Sequence, residues 1–171
     1  MGLSVGIITY NEEKNILKVI KSVEKIADEI IIVDSNSTDN TVDLAKKNGA
    51  QVFIENWKGY GPQKNSVIEK CNHDWILLID ADEVVSEKLR KRIFKIINNK
   101  PEFEVYKINF TAVCFGKTIK YGGWSNHYRI RLFRRGSGLY NDREVHEKFV
   151  TKSLVGKIKE DLYHYTYDDI T

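Results

Sequence analysis

The chain has 171 residues, 42% of them apolar and 11% aromatic, which is enough to bury a core at about the usual size of one domain. Lys and Arg number 27 against 24 Asp and Glu; a formal charge of +3 is too small to bind nucleic acid by field alone, so no such partner is expected. No run approaches the roughly 18 apolar residues of a membrane span and no charged leader precedes a long apolar run, so a soluble domain is expected.

From Leu3 onward, short apolar runs at 3–8, 30–33, 52–54 and 75–79 alternate with amphipathic stretches. Continuous rather than alternating apolar runs mark strands buried on both faces, as in a parallel sheet covered by helices. Between the first two runs, Ile16, Leu17, Val19, Ile20, Val23 and Ile26 recur at helical spacing, with Asn11 as the expected N-cap. Residues 41–48, closed by Gly49, predict a second helix with a glycine stop. Two βα units in a row predict right-handed crossovers and a doubly wound half-sheet.

Past a predicted helix over 86–98 the pattern changes to longer β-like segments at 104–115, 128–134, 154–159 and 162–167, separated in part by Gly122-Gly123 and Gly136-Ser137-Gly138. The expectation is therefore one α/β domain over 1–171, with a mostly parallel half at 1–85 and a smaller β-rich half at 86–171. The chain ends at Thr171 directly after Tyr167-Asp168-Asp169 with no helix closing the fold, so a longer parent sequence is expected. Cys71 and Cys114 show no CxxC or Cys/His spacing, which argues against a disulfide framework or zinc site and fits a reducing, cytosolic setting.

In open parallel sheets, ligands bind beyond the carboxyl ends of the strands. The ends of the first, second and fourth predicted strands are polar: Thr9, Tyr10, Asn11 and Glu12; then Asp34 to Asp39; then Asp80, Asp82 and Glu83 around Ala81. Asp or Ser at a strand end is often only a helix cap, but three such loops converge on one edge. In Asp80-Ala81-Asp82 two carboxylates separated by one small residue can project towards one point, and hard oxygen donors suit Mg²⁺ or Mn²⁺ bridged to phosphates. The plainer alternative is a solvated acidic turn that favours the N-terminal dipole of the next helix. No GxGxxG follows either early strand and no GxxxxGK[ST] loop occurs, so neither a dinucleotide fingerprint nor a P-loop is present. Phosphate would then be met by metal and side chains, with Lys64 in Gly61-Pro62-Gln63-Lys64-Asn65 as one candidate and an exposed helical lysine as the alternative.

Taken in order, Ser4-Val5-Gly6-Ile7-Ile8-Thr9-Tyr10-Asn11-Glu12-Glu13, Ile32-Val33-Asp34-Ser35-Asn36-Ser37-Thr38-Asp39, Gln63-Lys64-Asn65 and Leu78-Ile79-Asp80-Ala81-Asp82-Glu83 resemble the family-2 glycosyltransferases of the GT-A fold. Arg129-Ile130-Arg131-Leu132-Phe133-Arg134-Arg135, Val145-His146-Glu147 and His164-Tyr165 are similar to the bacterial branch that adds sugars to the lipopolysaccharide inner core.

The resemblance implies a cytoplasmic transferase that moves a sugar from a nucleotide-diphosphate sugar, a UDP-sugar favoured, to a glycan or lipid-linked acceptor hydroxyl. It leaves room for peripheral contact with the inner membrane. Thr9, Tyr10, Asn11 and Glu12 would line the nucleotide pocket, Asp34 would meet the base or ribose, and Asp80 the ribose and phosphate side. Asp82 would ligate Mn²⁺ or Mg²⁺, with His164 and, after it, His146 as completing ligands. A single-displacement, inverting reaction needs a general base, for which Glu147 is the first candidate and Glu144 the competitor. Trp124 would stack on an acceptor sugar, and Arg129, Arg131, Arg134 and Arg135 would meet phosphates or stand on a solvated strand face. Two other classes stay open: a sugar nucleotidyltransferase, which would want a glycine-rich basic loop where Tyr10-Asn11-Glu12 stands, and a non-catalytic nucleotide-sugar-binding module.

Overall fold

The computed structural model describes residues 1–114, 116–118, 127–143 and 146–167. In chain order the elements are β1 (Leu3–Thr9), α1 (Ile16–Val23), β2 (Glu29–Asp34), α2 (Thr41–Lys47), β3 (Gln51–Ile54), α3 (Tyr60–Lys70), β4 (Trp75–Asp80), β5 (Glu83–Val85) and α4 (Glu87–Asn98). There follow β6 (Val105–Cys114), β7 (Lys117–Thr118), β8 (His127–Arg134), β9 (Gly138–Tyr140), β10 (Phe149–Thr151) and β11 (Val155–Tyr167).

One mixed sheet runs β3-β2-β1-β4-β8-β6-β11-β5, with β7 on β6; β9 and β10 form a separate hairpin. The first four strands are mutually parallel, as their unbroken apolar runs predict. Every residue of β1 is buried, as are all but the first of β2 and all but the last of β4. At about 1.5–3 kcal/mol per buried aliphatic side chain, these three strands are the main store of stability. Helices cover both faces: α1, α2 and α4 pack on one side with Val5, Ile32 and Leu77, and α3 packs on the other with Ile31, Ile76 and Leu78. The approach of α3 to β1 is so close that a Cβ on Gly6 would lie 2.4 Å from Val67 Cγ1.

The second half is less parallel than the first. β8 runs antiparallel to both β4 and β6, β5 runs antiparallel to β11, and β6 pairs parallel with β11. The segments expected at 154–159 and 162–167 form the single strand β11, which absorbs a register shift between Ile158 and Asp161 instead of a turn. The helix predicted over 86–98 is α4, and Ser86 proves to be its cap, accepting a bond from Leu89 N at 3.1 Å, while Gly49 takes φ 85° past α2. Asn11 is not the cap of α1. It sits at φ 51° well before Ile16, and its Oδ1 accepts from Thr38 N at 2.8 Å, tying the loop after β1 to the loop after β2. Both cysteines are free, and burial pushes the Cys71 thiol up to about 12. Among the described residues no helix is long and apolar enough to cross a membrane.

Candidate active site

Strand order reverses between β1 and β4, and at such a switch point the carboxyl ends of neighbouring strands open a crevice. Register puts Thr9 opposite Asp34 and Ile8 opposite Asp80, so the polar residues ending three strands share one edge. Beyond that edge lies an open cleft of about 1140 Å³. Thr9, Tyr10, Glu12, Lys64, Asp80 and Asp82 line it from the first half, and Arg129, His146, Glu147 and His164 from the second.

Asp82 and His164 stand 82 positions apart and meet at 3.0 Å, Oδ2 to Nε2. The short strand β5 brings them together: Glu83 pairs with His164 in the β5–β11 ladder, and Tyr165 N donates to Asp82 O at 3.0 Å. Burial alone would push the imidazole down, but the Asp82 hydrogen bond and charge outweigh it and hold His164 above its ordinary value. One carboxylate and one imidazole, each partly open to the cleft, form a donor set that fits Mn²⁺ or Mg²⁺ if a diphosphate and water supply the other ligands. Among the described residues no three His, Cys, Asp or Glu side chains gather around one point.

A chain of charges runs beneath the cleft. Arg131 is 3% exposed and grips Glu83 through two bonds of 3.0 and 2.7 Å, while its Nη2 also reaches Asp80 Oδ2 at 3.0 Å. Lys64 Nζ stands 3.3 Å from Asp80 Oδ1, an ion pair outside hydrogen-bond geometry, and donates to Glu147 Oε1 at 2.6 Å. Desolvation drives both carboxyls up; Arg131 and Lys64 override it at Asp80, whose value falls well below the usual range, whereas the fully buried Glu83 stays raised with the Asp80 charge beside it. Lys64 is 2% exposed, so it is not the exposed helical lysine that the sequence allows as the alternative; its ammonium lines the cleft between the carboxylates of Asp80 and Glu147.

Each residue of Gln63-Lys64-Asn65 has a separate partner. Gln63 Nε2 donates to Ser35 Oγ on the cleft floor, and Lys64 joins Asp80 to Glu147. Asn65 donates to Tyr140 O at 2.8 Å and accepts from Tyr140 N at 2.9 Å, clamping α3 to β9. At Gly61 a Cβ would lie 1.9 Å from Asn141 O, so only glycine lets the β9–β10 loop, which carries Glu147, pack against the first turn of α3.

Other candidates lie elsewhere than the sequence suggested. Asp34 is fully buried and accepts from Ser37 N and Oγ, closing a turn instead of facing the cleft. Asn11 also lies outside the lining. Arg134 pairs with Trp75 at the start of β4, the edge remote from the cleft, and Arg135 donates to Cys71 O. Glu144 and Trp124 lie outside the described residues. Sequence reasoning passed over Trp57 and Tyr60, which line the cleft, and the Glu83–Arg131 pair beneath it. A charged residue placed between apolar neighbours, as Arg131 is between Ile130 and Leu132, was the available signal for that pair.

The profile described as Glycosyl transferase family 2 matches residues 4–158. The chain belongs to that family. It is 33% identical over 163 residues to the protein of Rhizobium meliloti described as lipopolysaccharide core biosynthesis glycosyltransferase LpsC, covering 92% of this chain and 60% of that one. It spans about 40% of the length of the rickettsial glycosyltransferases that it also matches. The crystal structure of S. aureus TarS 1-349 in complex with UDP-GlcNAc superposes with a TM-score of 0.70 at 18% identity, over 99% of this chain and 60% of that one. Glucosyl-3-phosphoglycerate synthase from Mycobacterium tuberculosis, crystallised with Mn²⁺, UDP and glucosyl-3-phosphoglycerate, gives 0.55 at 24% identity over 64% of this chain and 44% of that one. At these identities the likeness is one of fold, and the fold of this family-2 chain is that of GT-A glycosyltransferases.

Proposed function

We propose that this family-2 domain binds a nucleotide-diphosphate sugar in the cleft and transfers the sugar, with inversion, to an acceptor hydroxyl. The observation that carries the reading is the meeting of Asp82, Glu147 and His164, from three distant segments, in one cleft at the switch point of the sheet. A diphosphate needs positive charge beside it. Asp82 and His164 would hold Mn²⁺ or Mg²⁺, which supplies Lewis-acid stabilisation of the departing diphosphate. UDP is the favoured nucleotide, in keeping with its presence in the two neighbouring structures.

Glu147 is the proposed base. Lys64 holds its Oε1 and so fixes the carboxylate, and Oε2 would accept the proton of the acceptor hydroxyl. As that proton leaves, the acceptor oxygen bonds to the anomeric carbon from the face opposite the leaving group. The bond from the anomeric carbon to the β-phosphate oxygen breaks, and the nucleoside diphosphate departs with the electron pair. Arg129 is exposed at the rim with its guanidinium 4.2 Å above the Phe110 ring, and it offers an anion contact to an acidic acceptor. The likeness to LpsC supports lipopolysaccharide core or another cell-envelope glycan as the product, made at the cytoplasmic membrane face.

The test is turnover and nucleotide binding in two variants, with a panel of nucleotide-diphosphate sugars and Mn²⁺. Asp82→Asn should lose both metal-supported binding and transfer. Glu147→Gln should lower turnover by about 10²–10⁴-fold while leaving donor affinity nearly unchanged. Turnover in Glu147→Gln equal to the wild type would remove Glu147 as the base.

A further inference from the structure

The positive charge of the chain is concentrated in one helix. Residues 87–100, which are α4 and the two residues past it, hold six of the 27 Lys and Arg and one of the 24 Asp and Glu, a net +5 where the whole chain has +3. The rest of the chain is therefore slightly acidic. The helix can face only one way, because Leu89, Ile93, Ile96 and Ile97 are buried in the core. That leaves Lys88, Lys91, Arg92 and Lys95, spaced i, i+3, i+4 and i+7, as one exposed stripe along its outer face. Glu87 pairs with Lys91 at 2.8 Å; among the described residues Lys88, Arg92 and Lys95 have no ion-pair partner.

The fold does not require this stripe. Lys88 with Arg92 and Lys91 with Lys95 set cation beside cation at i, i+4, which opposes a helix, and Lys88 stands in the first turn, where the helix dipole disfavours positive charge. Beside the stripe Phe94, three positions past Lys91, is 55% exposed while Ile93 and Ile97 are buried. α1 packs next to α4, and the exposed Lys25 just past its end is close enough for its charge to act on Glu87, so it widens the basic surface.

We infer that the outer face of α4 docks on an anionic lipid bilayer, with Lys88, Arg92 and Lys95 meeting headgroup phosphates and Phe94 entering the boundary of the acyl chains. Charge complementarity selects the partner. A stripe of one sign on a convex helix matches a plane of anionic headgroups, and an apolar ring at its side has a place to go in a bilayer. None of these residues lines the cleft, so the inference goes beyond the donor-site reading and does not depend on it.

Flotation with vesicles of phosphatidylcholine alone and of phosphatidylcholine mixed with phosphatidylglycerol, over a series of salt concentrations, tests it. The wild type should float with the mixed vesicles, bind the neutral ones more weakly by about tenfold or more, and be released as salt rises. The triple variant Lys88→Gln, Arg92→Gln, Lys95→Gln should bind the mixed vesicles about a hundredfold more weakly, and Phe94→Ser about tenfold more weakly with an unchanged salt dependence. All four side chains are exposed and the triple variant removes like-charge repulsion, so neither variant should melt below the wild type. Wild type that does not float with the mixed vesicles, equal binding to both vesicle types, or a triple variant that binds like the wild type would each overturn the inference. So would tighter binding to duplex DNA than to the mixed vesicles, which would make the stripe a nucleic-acid surface. Vesicle binding is measured without nucleotide, so a protein that floats as expected yet binds no nucleotide would keep this inference and lose only the donor-site reading.

Discussion

In the parallel half, β1 and β4 carry Thr9 and Asp80 to the cleft by strand register alone, each side chain standing where its own apolar run stops. In the second half, His164 and Glu147 arrive by contacts with residues 82 and 83 positions earlier, Asp82 and Lys64. The first half is a scaffold that places groups by its own geometry. The second is positioned by what the first half holds out to it, namely the short β5, the carboxylates around Arg131, and three consecutive side chains of α3. This division keeps Thr9 and Asp80 on the most buried strands while Glu147 and His164 hang from a few specific grips.

The largest way to break that arrangement is at Arg131. Its guanidinium is buried between Glu83 and Asp80, with Lys64 the neighbouring cation and Glu147 beyond it. Removing one partner of a buried ionic group leaves uncompensated charge and costs about 3–5 kcal/mol. Arg131→Met should therefore lose about that much unfolding free energy in urea, with β8 and β5 first to exchange their amides. A loss below about 1 kcal/mol would show that the halves are joined by apolar packing instead of this network.

A gentler cut is Asn65→Ala. It removes two hydrogen bonds to Tyr140, which at about 0.5–1.5 kcal/mol each costs about 1–3 kcal/mol. The expected signature is uneven. Turnover should fall by more than tenfold because the β9–β10 loop that carries Glu147 loosens, while nucleotide affinity on the first half stays near the wild-type value. If donor affinity falls as far as turnover, α3 governs both halves and the contrast drawn above is wrong.

The same contrast explains what could be read in the sequence. β1, β2 and β4 declare themselves because each is an unbroken apolar run ending in a polar cluster, and the helix predicted over 86–98 is α4. The convergence of Asp80 and Asp82 on one edge follows from the run at 75–79 before them. The helix α3 is not among the helices predicted in chain order; Gly59, Gly61 and Pro62 weaken any helical pattern there, yet they open a helix and allow the approach of Asn141. Asp34 stands where a ligand contact is expected, yet Ser37 three positions later captures it in a turn, a competition between local and ligand hydrogen bonds that sequence does not decide. The meeting of His164 with Asp82 depends on a ladder only three residues long, and no local pattern encodes it.

The smallest effect tests how firmly the loop after β3 is held, because that loop carries Trp57. Hydrogen bonds from Lys58, then Lys70 and Ser66, hold the Glu55 carboxyl at about 2, well below an ordinary value of 4.5. A depressed folded-state value means that the stabilisation is complete above the unfolded value and is lost as pH falls from about 4.5 towards 2. Both lysines keep part of their surface in water, with Lys58 49% and Lys70 21% exposed, so each pair is worth at most about 1 kcal/mol. Glu55→Gln should therefore melt slightly below the wild type near neutral pH, and the gap should close as pH drops through that window, where the wild type loses the same ion pairs. A gap that persists unchanged at the acid end would mean that Glu55 acts through its neutral hydrogen bonds and that charge does not hold the loop.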